Sequence, residues 1–104
     1  MYVLMRKSGY WFARKGSLRG MVLAETEELL LAFSRSHGCK NVSIAEIGSL
    51  DRKTLEAQLT QSMREGANCA FVVKAVKSGK ARLHVVRPAR PGERTLFEFE
   101  AEDQ

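Results

Sequence analysis

Apolar residues come in short bursts along the chain, and the spacing inside each burst separates strands from helices. YVLMR (2–6) and YWFAR (10–14) are aromatic and aliphatic runs on either side of Lys7-Ser8-Gly9, which predicts a hairpin whose glycine accepts positive φ. AFVVKAV (70–76) and ARLHVVR (81–87) predict a second hairpin around Lys77-Ser78-Gly79-Lys80. The two turns resemble each other, but turn chemistry alone accounts for that and no internal repeat follows.

Between the hairpins the rhythm changes. MVLA (21–24) reads as a strand, and Thr26 then offers an N-cap for a helix through about His37, ended by Gly38. Glu27 and Glu28 in its first turn complement the helix dipole. VSIAEI (42–47) alternates as a strand does, and Gly48, Ser49 and Asp51 break it. A second helix is predicted over about 51–65, closed by Gly66, with Leu55, Leu59 and Met63 as its buried stripe. TLFEFE (95–100) alternates again, setting Thr95, Phe97 and Phe99 against Glu98 and Glu100.

The sum is an α+β fold in the order βββαβαβββ, a mixed sheet of about 6–7 strands with two helices on one face. Strand-helix-strand-helix-strand with short joints predicts right-handed crossovers and parallel strands. Several strands are apolar on both sides, as with Tyr10 and Phe12 against Trp11 and Ala13. A second face of this kind is expected either to be closed by curling of the sheet or to meet another chain, as in a homodimer.

The central stretches MVLAETEELLLAFSRSHG and VSIAEIGSLDRKTLEAQLTQSMREGANCAFVV resemble the N-terminal domain of the SseB-like family. The matching positions are Thr26, Glu27, Glu28, Leu29, Phe33, Gly38, Leu55, Leu59, Gly66 and Val72–Val73, and the likeness covers about half the chain. These are caps and core positions. The resemblance implies a binding or accessory module without defined chemistry.

Length and charge narrow the picture. The 104 residues fit a single domain (1–104) that can bury a core without disulfides or metals, with an acidic tail from about 98, EFEAEDQ. Apolar runs such as Leu29–Phe33 are far short of the roughly 20 residues a membrane span needs, and the N-terminus does not read as a signal peptide. The expected compartment is the cytoplasm. Net charge is +5, and residues 1–20 carry Arg6, Lys7, Arg14, Lys15 and Arg19 with no acid. Such clustering either attracts polyanions or lines edges and turns against aggregation.

Catalytic chemistry finds little support. Cys39 and Cys69 fit no zinc spacing and are too few for a disulfide framework. Each precedes a strand, and His37 stands two residues before Cys39, which raises a Cys-His pair. A helix C-terminus, however, favours thiol over thiolate. His84 has no partner visible in the sequence, and the paired acids Glu27–Glu28 and Glu102–Asp103 fit a helix cap and a tail. RKGSLRG (14–20) lacks the order of a phosphate-binding P-loop. No catalytic residue, cofactor or metal is expected.

Surfaces remain. Tyr10 and Trp11, flanked by Arg6, Lys7, Arg14, Lys15 and Arg19, combine stacking rings with phosphate-seeking cations, unless the rings fill the core. RPARPGER (87–94) adds Arg87, Arg90 and Arg94 in a loop-like setting, and Leu31 falls opposite Leu30 and Phe33 on its helix. The expectation is a non-catalytic module that binds another protein or its own copy. The alternative is weak, sequence-independent nucleic-acid binding through the basic hairpin and the arginine loop.

Overall fold

A computed structural model of the chain describes residues 1–49, 51–88 and 97–103. Its strands are β1 (Tyr2–Arg6), β2 (Gly9–Tyr10), β3 (Phe12–Lys15), β4 (Leu18–Ala24), β5 (Val42–Glu46), β6 (Cys69–Lys77), β7 (Lys80–Pro88) and β8 (Phe97–Asp103). Helices α1 (Glu27–Ser36) and α2 (Arg52–Arg64) flank β5 in the chain. The α+β class and the mixed sheet are as expected. The acidic C-terminal run is not a free tail, since Phe97–Asp103 pairs along β7.

Both helices start where their caps put them. Thr26 Oγ1 accepts the Leu29 N–H at 3.3 Å, and Asp51 Oδ1 accepts the Thr54 N–H at 2.8 Å. These bonds satisfy amides that have no partner within the helix. On α2 the buried stripe is Leu55, Leu59 and Ser62, while Met63 is exposed, contrary to the four-residue repeat. The reason is helical period: about 3.6 residues per turn brings position 62 back under Leu55 and carries 63 off the stripe. Ser62 tolerates burial because its hydroxyl donates to the Leu59 carbonyl at 2.9 Å.

The sheet runs β5-β1-β4-β6-β7-β8, with β2 and β3 between β1 and β4. Among the described residues only β4 and β6 pair in parallel, with Gly20 opposite Cys69 and Ala24 opposite Val73. β5 shares their direction but is separated from β4 by the antiparallel β1.

The helices lie on opposite faces, which corrects the one-face expectation. Leu30 and Phe33 of α1 pack with Leu4, Val22, Phe71 and Val73, whereas Leu55 and Leu59 of α2 pack with Val3, Leu23, Ala70 and Val72. The cause is the direction of travel. The crossover from β4 to β5 moves one way along the sheet and the crossover from β5 to β6 moves back. Two right-handed connections of opposite travel must pass over opposite faces. Apolar residues on both faces of the strands are therefore explained within one chain, because α2 covers the face that was expected to curl or to meet a partner.

The N-terminal segment also departs from a simple hairpin. β1 and β4 pair only at Tyr2–Val3 and Leu23–Ala24, then splay. β2 pairs back onto Met5 and Arg6, and β3 pairs with Leu18–Met21. Because β1 and β4 are antiparallel, β2 and β3 must run in opposed senses, so the chain reverses at Trp11 in the crotch of a fork. The Trp11 N–H donates to the Leu4 carbonyl there at 3.1 Å. By contrast the β6–β7 turn is as expected: Ser78 and Gly79 have φ of 53° and 75°, the pattern of a tight type I′ turn.

Gly20 is the tightest point of the central seam. A Cβ there would run into the Cys69 carbonyl and come within 2.9 Å of its Sγ. Gly20→Ala should therefore destabilise the chain by about 1–3 kcal/mol, the usual range for overpacking. Urea unfolding followed by circular dichroism measures it, and an unchanged midpoint would show that the seam relaxes freely.

Candidate functional site

Tyr10 and Trp11 sit side by side in the chain and point to opposite faces. Tyr10 is 3% exposed, and its hydroxyl donates to Gln58 Oε1 of α2 at 2.6 Å. Burial pushes its phenol above the ordinary value, and the nearby Glu65 carboxylate adds to the shift. Trp11 packs on the other side, edge-on to Phe33 of α1 with ring centroids 6.1 Å apart. Tyr10 is thus buried under α2, whereas Trp11 is half-buried against the α1-side core, and the two rings do not form one stacking platform. Phe12 continues the Tyr10 side, and the Arg19 guanidinium lies 4.7 Å above its ring. Arg19 is thus packed as a cation–π lid over Phe12.

The other cations spread over the fork. Arg6 and Lys7 are exposed on the β1–β2 tip, and Arg14 is exposed with Lys15 half-buried on the β3–β4 tip. β1 ends where β4 begins, so both tips occupy the end of the sheet where β4, β5 and β6 start. Arg87 is half-buried on β7, in register with Glu98 of β8. Arg90 and Arg94 lie outside the described residues.

Leu31 is exposed, as expected, and borders a shallow depression of about 530 Å³ with Tyr2, Glu25, Thr26, Glu27 and Glu28. That rim is acidic at the start of α1 and repels anions. Asp51 caps α2 at the same end of the sheet, and the Thr54 N–H holds its carboxyl below the ordinary range. The domain is consequently polarised along its strands near β5. Arg6, Lys7 and Lys40 stand at the start of β5, and Glu46 and Asp51 at its end; Lys53 beside Asp51 and the Met1 ammonium on the Gly48 carbonyl run against the pattern.

The Cys-His idea resolves into packing. The His37 ring stacks on Phe33 at 4.1 Å, and its Nδ1 lies 3.1 Å from the Phe33 carbonyl and 2.9 Å from Ser36 Oγ. Burial pushes the Cys39 thiol up, only partly offset by its hydrogen bond with Ser34, while Cys69 is fully buried in the α1-side core. His84 is held below its ordinary value by burial and by the Lys74 and Arg82 charges. Among the described residues no three His, Cys, Asp or Glu side chains cluster as a metal site, and no helix is long and apolar enough to cross a membrane.

One feature that sequence reasoning passed over is the outer edge of β5. Among the described residues β5 has a strand neighbour, β1, on one side only. The Ile47 N–H donates to the Met1 carbonyl at 2.9 Å, which marks the odd positions as bonded inward. By antiparallel alternation Val42, Ile44 and Glu46 direct their N–H and C=O groups outward. Val42 and Ile44 are half-buried on the α1 side, Ala45 and Ile47 on the α2 side. No proline, bulge or lysine interrupts Val42–Glu46. The sequence signal was the unblunted run itself, but its place at an edge follows only from the topology.

No family model, curated protein or solved structure matches the chain.

Two measurements test this arrangement. Trp11 emission should be blue-shifted in the native chain and should not change when single-stranded RNA or DNA is added at low salt; quenching that fades with salt would return the ring to the surface. Cys39 should react with iodoacetamide more slowly at pH 7 than a free thiol, rising to the free rate in denaturant. Rapid labelling of the native chain would reinstate a reactive cysteine.

Proposed function

We propose that the chain is a non-catalytic binding module of the cytoplasm that takes another polypeptide along the open edge of β5. The observation that carries this reading is the outward row of backbone groups at Val42, Ile44 and Glu46. Unpaired N–H and C=O groups on an apolar edge are a template for one more strand, and proteins that do not use such an edge blunt it. Both faces of the central strands β1, β4 and β6 are already occupied by helices, which favours an edge as the route for a partner.

The fates of the reactive groups support a module over an enzyme. His37 is stacked on a ring, the Cys39 thiol is disfavoured as thiolate, and His84 stands among cations. A thiol kept protonated and a histidine set among cations are the opposite of an activated nucleophile and a general base.

A second reading keeps one specific observation in its favour: the fork brings Arg6, Lys7, Arg14 and Lys15 to one end of the sheet. Phosphate contact there would be weak, salt-sensitive and indifferent to sequence, because Tyr10 is buried under α2 and Trp11 is half-buried against α1.

Amide hydrogen exchange distinguishes the two. A strand-forming peptide selected by display against the protein should slow exchange at Val42, Ile44 and Glu46 by at least about tenfold, leaving the already bonded Ser43 and Ala45 little changed. Protection confined to the fork on adding a polyanion, with β5 unaffected by every peptide, would replace the first reading with the second.

A further inference from the structure

We infer that the strand accepted by the β5 edge is β5 of a second copy, paired antiparallel about a two-fold axis at Ile44. This rests on the edge-binding reading above and adds the partner. A two-fold axis at Ile44 sets Val42 opposite Glu46 of the second copy and Ile44 opposite Ile44. Every outward N–H and C=O of the three positions then finds a partner, giving about six backbone bonds with no slip of register.

Charge on the strand itself favours this orientation. β5 begins beside the exposed Arg6, Lys7 and Lys40 and carries the exposed Glu46 as its last residue, with Asp51 following; Lys53 and the Met1 ammonium on the Gly48 carbonyl are cations at that end. An antiparallel pair brings Arg6, Lys7 and Lys40 of one copy toward Glu46 of the other, twice. A parallel pair would set like against like. Asn41, with a φ of 58°, turns the chain off the ladder just before Val42, so Lys40 acts on Glu46 of the second copy as an end charge and not as a cross-strand pair. The half-buried Val42 and Ile44 would complete their burial on the α1 side, and Ala45 and Ile47 on the α2 side, so both layers continue across the axis. The result is one sheet running through two copies, with β8 at each outer edge.

A five-residue edge is small, so the dimer should be weaker than about 1 μM and show itself only as concentration rises. In sedimentation equilibrium the mass of the full chain should climb from 11.7 kDa toward twice that value between about 1 μM and 1 mM. Ile44→Pro removes an outward N–H without touching the ladder to β1 and should weaken the dimer at least about tenfold. Because that variant also alters core packing, charge variants provide the second arm. Lys40→Glu or Glu46→Lys alone should weaken the dimer at least about threefold at low salt, and the two together should restore it.

A chain that stays monomeric up to 1 mM overturns the second copy as the partner. If selected peptides still protect β5, the edge reading survives that result; if they do not, both fall. A dimer that is indifferent to folded Ile44→Pro and to the charge pair likewise overturns the proposed seam.

Discussion

Gly20 lies against the Cys69 carbonyl, and from that contact β4 and β6 run in parallel to Ala24 and Val73. Parallel neighbours need a crossover between them, and here the chain makes two, outward to β5 and back again. Handedness then sends α1 and α2 to opposite faces. The alternation of the central strands, with Val22, Phe71 and Val73 under α1 and Leu23, Ala70 and Val72 under α2, is the packing consequence. So is the placement of β5 at an edge, since the outward crossover carries it beyond β1 and nothing among the described residues follows it there.

Local signals were readable wherever a single short-range bond decides the outcome. Thr26 and Asp51 cap the helices they announce, and Ser78-Gly79 makes the tight turn its residues require. Signals failed where distant segments decide. Leu18-Arg19-Gly20 has no strand character of its own, yet it is strand because Cys69 pairs with Gly20 and β3 pairs along it. Asn68 reinforces that start from across the sheet, its side chain accepting the Arg19 N–H at 2.9 Å and donating to the Ser17 carbonyl at 2.8 Å. The apolar pattern correctly marked a sheet covered on both sides. It could not say whether the second cover was a helix or another chain, because that depends on the direction of travel between strands.

The candidate surface was legible only in part. Clustered cations in the first 20 residues do reach one end of the sheet, but Tyr10 among them is buried under α2 and Trp11 is half-buried against α1. A ring flanked by arginines looks the same in sequence whether it faces solvent or a helix. Arg19 shows the ambiguity within one residue, since its charge rests on Phe12. The β5 edge carries no distinctive residue at all. Its chemistry is that of bare backbone, which every non-proline residue supplies.

The connectivity also sets an order in time. The turns at Lys7-Ser8, Gly16-Ser17 and Ser78-Gly79 join strands close in sequence, and hairpins of that kind form within about 1–10 μs. The β4–β6 seam must instead join residues as far apart as Gly20 and Cys69, a loop whose closure entropy local turns do not share. On a ribosome the N-terminal fork would emerge complete while β4 still lacked its central neighbour. Until Cys69–Val73 followed, Val22 and Leu23 would remain beside an unfilled slot. The glycine that permits the close approach thus also marks a segment that stays uncovered until β6 has emerged.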